Sequence, residues 1–305
     1  MKPGAPLDTE QPGGTTLTIL YFLCFSFVSA ALLRVPSEQS TPTEAGGALV
    51  ALLTVSFLNT AVLAYVIRHS RWAGWKLVLT VFVIFYGVIT VMSQIETAFF
   101  ITRLPPGLLP RLFLAGAIIA ALFSAFAVLI LGKGRRAGTD DRSEARLNMS
   151  VGQWIVKLSL IVIAYVVIYF TFGYFIAWQS EAVRSFYGGS DPGSLLAQIH
   201  IVLRDTPMLL PLQAVRALMW TALAVLIIRM MKGEWWEAGL AVALSFAVVM
   251  NSQLLLPNPL MPQEVRMVHL LETASSNFLF GWLVVFVLLG WRTPGRAQQR
   301  GRSAE

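Results

Sequence analysis

Eight continuous apolar runs, each long enough for a helix that crosses a membrane, dominate the pattern of hydrophobic and polar positions. A spanning helix needs about 20 mostly apolar residues, and the runs lack the two-residue alternation of membrane β-barrel strands. The runs cover residues 17–34, 46–67, 75–97, 108–131, 154–178, 209–229, 236–256 and 264–290. The sequence therefore predicts an all-α, polytopic transmembrane helical bundle of about eight spans, with the lipid bilayer as its main partner.

Composition agrees with this fold class, because 56% of the residues are hydrophobic and only 13% are charged. Soluble domains average about 45–50% apolar and about 25% charged residues. The single cysteine, Cys24, excludes an intrachain disulfide. The net charge of +7 is typical of basic cytoplasmic loops in membrane proteins. Basic runs interleaved with aromatic residues are absent from the sequence, so we predict no nucleic-acid partner.

The distribution of Lys and Arg predicts the orientation of the spans, because cytoplasmic loops are enriched in both. Sixteen of the 23 basic residues fall on the side of the two chain ends. Seven fall on the other side, namely Arg34, Arg103, Arg111, Arg184, Arg204, Arg216 and Arg266. The abundance of Arg, Ala and Leu is typical of GC-rich bacterial genomes. We therefore predict a multi-pass protein of the bacterial cytoplasmic (inner) membrane, with both termini cytoplasmic.

The spans fall into two sets of four. Span 3 ends at Ser93-Gln94 before a proline-rich turn, and span 7 ends at Ser252-Gln253 before another. This similarity indicates a 4+4 tandem repeat with its pseudo-axis along the membrane normal, although chance similarity of the two turns is an alternative. The predicted regions are an N-terminal tail (1–16), a first half (17–131), a cytoplasmic linker (132–153), a second half (154–290) and a C-terminal tail (291–305).

The loop before the sixth span predicts a short amphipathic helix near 192–205, lying on the outer membrane surface. Asp191 is the predicted N-cap and Pro192 the first helical residue. This helix brings His200 and Arg204 near the membrane surface. A lid without chemistry of its own is the alternative. We interpret residues 185–189, upstream of it, as a turn.

The last span carries a polar stripe. At about 100° per residue, its polar side chains fall within a sector of about 140°: these are Arg266, His269, Glu272, Thr273, Ser276 and Asn277. A charged side chain at the centre of a bilayer costs about 2.5–3.5 kcal/mol on insertion scales. We therefore expect the stripe to face other helices or water rather than lipid.

Two further spans present polar groups at a similar depth. Span 3 and the turn after it contribute Gln94, Glu96 and Arg103, and span 7 contributes Asn251 and Gln253. We predict one outward-facing, ligand-binding cavity formed by these residues together with Arg266, His269, Glu272 and Asn277, beneath His200 and Arg204.

Three interpretations of this cavity stay open. The glutamates could pair with Arg103 and Arg266 and simply hold helices together, in a structural or assembly subunit. The cavity could instead bind and translocate a small ionisable or amphipathic molecule or a lipid, with arginine holding an anionic group and Glu96 or Glu272 exchanging protons. The third interpretation is an outer-leaflet enzyme that uses Glu and His as acid and base, with its catalytic residues unknown. We expect the second.

Metal and cofactor motifs do not change this picture. His269 and Glu272 are three residues apart, a spacing that allows both to bind one ion. However, the sequence has only three histidines and no HExxH motif, so we predict no metal site. The P-loop, GxGxxG, GxSxG and CxxC motifs are also absent from the sequence, so we predict no cofactor. The aromatic residues of span 5, including Tyr165 and Tyr169, are predicted to pack in the core or in the interfacial belt. The sequence identifies no protein partner.

Overall fold

The computed structural model of the chain describes residues 13–33, 42–101, 104–135 and 147–290. Within these residues, eight helices are long and apolar enough to cross a membrane. They are span 1 (Gly13–Leu32), span 2 (Pro42–Arg68), span 3 (Gly74–Phe100), span 4 (Leu108–Ile130), span 5 (Val151–Ala177), span 6 (Leu209–Met230), span 7 (Trp235–Leu255) and span 8 (Gln263–Gly290). Each lies within four residues of the run that predicted it. The all-α multi-pass membrane bundle is confirmed.

Several predicted features lie outside the described residues. These are most of the N-terminal tail, the basic part of the linker, the C-terminal tail and Arg103. The predicted division into tails, halves and linker therefore stays a prediction.

Four spans contain a short π-helical segment, a rare element that occurs mostly as a single turn inside an α-helix and often at functional sites. The segments are Gly87–Val91 in span 3, Gly173–Ala177 in span 5, Ser245–Val249 in span 7 and Phe286–Gly290 in span 8. Span 7 then ends in a 3-10 turn, Ser252–Leu255. Spans 3 and 7 are thus interrupted just before the polar residues that follow Met92 and Met250.

The two ends of the bundle differ. We call the end that carries Gly13 and Gly290 the terminal side and the opposite end the cap side. On the terminal side, the loop after span 2 and the loop after span 6 form an antiparallel bridge between Ser70 and Met231. The guanidinium of Arg71 also donates to the Met231 carbonyl at 2.8 Å, and Lys133 Nζ donates to the Ser70 carbonyl at 2.9 Å.

Two short helices lie on the cap side, Glu181–Tyr187 and Leu195–Asp205. The second one lies within the segment 192–205, where an amphipathic helix was predicted, but its N-cap is Ser194 and not Asp191; the Ser194 hydroxyl accepts from the Ala197 N–H at 3.2 Å. Residues 185–189 were predicted to form a turn, and this was wrong for residues 185–187, which complete the first helix. Ser180 caps its start and Gly188, with φ of 71°, ends it, so a complete short helix forms between them.

The helices make equivalent contacts within the two halves. Span 1 packs against spans 2 and 4, and span 3 against span 4. Span 5 packs against spans 6 and 8, and span 7 against span 8. Between the halves, span 2 contacts span 7 and span 3 contacts span 6. Exchanging the two halves reproduces each of these contacts, which is what a pseudo-two-fold axis along the membrane normal requires.

A sequence match accompanies this packing. Thr60-Ala61 and Ile67-Arg68 in span 2 correspond to Thr221-Ala222 and Ile228-Arg229 in span 6, each 161 positions later. The same offset relates Ser70 to Met231, the two residues of the bridge. These features agree with the predicted four-plus-four repeat.

Candidate functional site

A cavity of about 30 Å³ lies between spans 3, 5, 6 and 8, in the cap-side half of the bundle. It is large enough for one or two water molecules. Its lining includes two carboxylates, one guanidinium and four aromatic rings, which belong to Glu96, Glu272, Arg216, Tyr165, Tyr169, Phe172 and Phe280. The structure therefore brings Glu96 of span 3 and Glu272 of span 8 to one cavity. Glu272 lies nine residues into span 8, about 14 Å along the helix axis from its cap-side end.

Arg216 is the central cation of the cavity. Its side chain is 2% exposed and forms an ion pair with Glu96. Its Nη1 donates to Gln213 Oε1 at 3.0 Å, one helical turn earlier. Pairing of Glu96 with Arg103 was one of the open interpretations, and Arg103 lies outside the described residues; within them, Glu96 pairs with Arg216. Among the described residues, Arg216 Nε and Gln213 Nε2 have no hydrogen-bond partner, so two buried N–H groups remain unsatisfied.

Arg216 is the residue that sequence reasoning missed. It was counted only as a charge of the outer side, although it lies seven residues inside the apolar run of span 6. An arginine at this depth, with Gln213 on the same helix face, signals a buried polar site.

A second charged group sits on the span 8 wall of the cavity. The Nδ1 atom of His269 lies 2.7 Å from Glu272 Oε2, and the two side chains are 17% and 11% exposed. On its other edge, His269 Nε2 lies 3.2 Å from the hydroxyl of Tyr187. Tyr187 belongs to the short cap helix and was not among the predicted site residues. Because that segment was interpreted as a turn, its contact with span 8 was not foreseen.

The other polar residues of the span 8 stripe contact span 7 or the cavity. The Thr273 hydroxyl hydrogen-bonds Asn251 Oδ1 at 2.6 Å, and Asn277 Nδ2 lies 3.5 Å from Met250 Sδ. Asn277 and Thr273 also line the cavity. Asn251 was predicted as a ligand-binding residue, but it acts here as the partner that holds span 7 to span 8.

Gln253 and Gln94 lie beside the cavity rather than in its lining. Gln253 Nε2 donates to Ser93 Oγ at 2.8 Å and to the Ile89 carbonyl at 3.3 Å, and so joins span 7 to span 3. The Oε1 atom of Gln94 is buried and has no hydrogen-bond partner within the described residues.

Arg266 was expected to hold an anionic group or to pair with a glutamate, and within the described residues its guanidinium contacts backbone carbonyls of span 7. Its Nη1 donates to the carbonyl of Leu254, at 3.1 Å, and to that of Leu256. These carbonyls close span 7, where the end of the helix leaves them without intrahelical partners. Arg266 therefore stabilises the end of a neighbouring helix.

His200 and Arg204 are not among the residues that line the cavity. The cap helix that carries them turns Leu195, Ile199 and Val202 toward the bundle, and at 100° per residue this leaves both polar residues on the opposite face. Both are exposed, and Arg204 pairs with the adjacent Asp205 at 2.7 Å. Neither residue lines the cavity, and their placement above it stays a prediction.

The arrangement provides acid–base groups, and the hydroxyl of Ser276, which also lines the cavity, is hydrogen-bonded to the backbone. The Ser276 hydroxyl donates to the Thr273 carbonyl at 3.2 Å, while both ring nitrogens of His269 are engaged by Tyr187 and Glu272. Within the described residues, no cluster of three or more His, Cys, Asp or Glu side chains is placed to hold a metal ion.

Comparisons with protein-family models, curated proteins and solved structures find no match to this chain. A function must therefore be argued from the chemistry of the cavity itself.

Proposed function

We propose that this integral membrane protein binds a small cationic solute, such as a protonated amine, at the Glu272 cavity and carries it across the bilayer. The observation that carries the proposal is the charge of the cavity. Arg216 compensates Glu96, whereas the charged group nearest to Glu272 is an imidazole. When that imidazole is neutral, the cavity holds one net negative charge. A buried, uncompensated carboxylate attracts a cation.

The walls of the cavity suit an organic cation. Tyr165, Tyr169, Phe172 and Phe280 surround the carboxylates. Aromatic faces attract ammonium groups within about 6 Å of the ring centroid, and the attraction grows when the cation is desolvated. The predicted binding of an anionic group is replaced here by binding of a cation, because the arginine of the cavity is already neutralised and Arg266 is engaged elsewhere.

The irregular backbone around the cavity supports translocation rather than static binding. The π-helical segment Gly173–Ala177 of span 5 adjoins Glu272, since a Cβ atom placed on Gly173 would lie 3.6 Å from Glu272 Oε1. Interrupted helices beside a buried charge are typical of transporter binding sites. In our proposal, spans 5 and 8 separate to admit the solute, and the terminal side faces the cytoplasm.

Uptake of radiolabelled tetramethylammonium into proteoliposomes tests this function, because the permanent charge of this probe prevents passive leakage. Two unit charges about 4 Å apart interact by about 4 kcal/mol at an effective dielectric constant of about 20, so Glu272→Gln, which removes the negative charge, should lower uptake by about tenfold or more. Glu264→Gln is the matched control, since Glu264 is exposed on the same helix, and it should leave uptake unchanged. Preferential uptake of acetate would contradict a cation site.

A purely structural role is the second candidate, because the Glu96–Arg216 pair joins span 3 to span 6 across the two halves. Buried polar pairs often serve only to hold helices together. In that case Glu272→Gln would lower the free energy of unfolding, and wild-type proteoliposomes would take up tetramethylammonium no faster than empty ones.

A further inference from the structure

We propose that Glu272 receives its proton from the cap side through His269, under the control of Tyr187, so that protons are the ions exchanged for the solute. This inference rests on the function proposed above and names its coupling ion and the path of that ion.

Two consecutive hydrogen bonds lead from the cap helix into the cavity. The Tyr187 hydroxyl lies 3.2 Å from His269 Nε2, and His269 Nδ1 lies 2.7 Å from Glu272 Oε2. Histidine is suited to relay protons because its two ring nitrogens can gain and lose a proton on opposite edges. The imidazole thus spans the distance between the cap surface and the buried carboxylate.

The position of Tyr187 lets it cover the entrance of this path. Its ring packs edge-on against His269, Phe100 and Phe186, at centroid distances of 5.7, 6.2 and 4.9 Å. Burial raises the pKa of the Tyr187 phenol, and the negative charges of Glu96 and Glu272 raise it further. The phenol therefore stays protonated, and it acts as a neutral hydrogen-bonding cover on His269 Nε2 rather than as an ionised carrier.

The proton balance of the relay is simple. When Tyr187 moves aside, water on the cap side delivers a proton to His269 Nε2, and the Nδ1 proton passes to Glu272 Oε2. The imidazole ends neutral as its other tautomer, and Glu272 ends as a neutral carboxylic acid. The other groups that face this pair do not change charge in the step; they are Tyr165 and Tyr169 of span 5, Glu96 of span 3 and Arg216 of span 6.

Exchange of a proton for the cation follows from the protonation of Glu272. Protonation of Glu272 removes the net negative charge that holds the cation, so the cation is released, and loss of the proton restores the site. Binding of tetramethylammonium should therefore strengthen as the pH rises, and an inward-directed proton gradient should drive efflux of the cation.

Time-resolved infrared spectroscopy of the purified protein in nanodiscs tests the relay after a rapid drop in pH. The carboxylic acid C=O band that is absent in Glu272→Gln reports protonation of Glu272. In His269→Gln, which preserves hydrogen bonding without a shuttle, and in His269→Ala, this band should appear about tenfold or more slowly than in the wild type. Added imidazole should restore the rate in His269→Ala, which a merely structural role of His269 would not allow.

Two further variants complete the test. Tyr187→Phe should accelerate protonation, because it removes the hydroxyl that occupies Nε2. His200→Ala removes an exposed histidine of the cap side and should leave the rate at the wild-type value. A wild-type rate in both His269 variants, or no rescue by imidazole, would overturn the relay. Such a result would leave tetramethylammonium uptake intact, whereas failure of the proposed function would abolish uptake and leave the infrared kinetics as predicted.

Discussion

The two halves of the bundle each bury a tyrosine at the same place, but with different surroundings. In the first half, Tyr21 packs edge-on against Phe123 of span 4 at 5.4 Å; in the second, Tyr165 packs against Phe280 of span 8 at 4.7 Å. The Tyr21 hydroxyl accepts from Asn59 Nδ2 at 2.8 Å, and Asn59 Oδ1 accepts from Ser252 at 2.9 Å. This neutral triad is buried and satisfied.

The corresponding region of the second half is charged. Tyr165 shares its cavity with Glu96, Arg216 and Glu272, and Arg216 Nε lacks a partner among the described residues. The contact of span 7 with span 2 is made by Ser252 and Asn59, whereas the equivalent contact of span 3 with span 6 is made by Glu96 and Arg216. Charges that remain partly unsatisfied are expensive to bury. Within the described residues they lie around Tyr165 and not around Tyr21, which supports placing the proposed function at the Tyr165 region, with the Tyr21 region serving structure.

The largest loss of stability should come from removing Arg216 while Glu96 keeps its charge. Arg216→Met leaves Glu96 without its partner in a buried setting, which costs about 3–5 kcal/mol when such pairs are broken. Because Glu96 is 30% exposed, we expect a value near the lower end. Denaturant unfolding in detergent measures it. The double variant Arg216→Met with Glu96→Gln should recover most of the loss, and no recovery would contradict the pairing.

A smaller loss of stability should follow from disrupting the neutral triad. Asn59→Ala leaves the Tyr21 hydroxyl and the Ser252 hydroxyl without partners, at a cost of about 1–3 kcal/mol. Tetramethylammonium uptake per folded molecule should stay at the wild-type level, because the triad is structural. If uptake fell as far as it does in Glu272→Gln, the functional difference between the Tyr165 and Tyr21 regions would be refuted.

Breaking the hydrogen bond between spans 7 and 8 should lower the free energy of unfolding by a smaller amount. Thr273→Val removes the hydrogen bond to Asn251 while keeping the shape of the side chain, and we expect a loss of about 1 kcal/mol in unfolding free energy. Thr273→Ser, which retains the hydroxyl, is the matched control and should lose less. Equal losses in the two variants would show that the methyl group, rather than the hydrogen bond, stabilises this contact.

The smallest effect should come from the exposed pair on the cap helix. Arg204→Ala breaks the contact with Asp205, and exposed ion pairs contribute little. Melting temperature and uptake should both be unchanged. A clear loss of uptake would instead support the predicted role of Arg204 in ligand binding.

Much of the fold could be predicted because the bilayer sets the length of the spans and excludes other elements. Glu96 and Glu272 could be predicted as neighbours because a charged side chain within a span faces the bundle interior or a water-filled cavity rather than lipid. The role of Arg266 could not be predicted, because its contact with the last carbonyls of span 7 depends on how the end of that span lies against span 8. Arg216 could have been recognised from its depth, and Tyr187 depended on how a seven-residue helix docks, which periodicity cannot predict.

Proton release on cation binding tests the central claim most directly. Purified protein in a weakly buffered detergent solution, at a pH where Glu272 is protonated, is mixed with tetramethylammonium while a pH indicator records released protons. We predict release of up to about one proton per molecule in the wild type and in Asn59→Ala, and no release in Glu272→Gln. Equal release in Glu272→Gln, or no release in the wild type, would contradict the account.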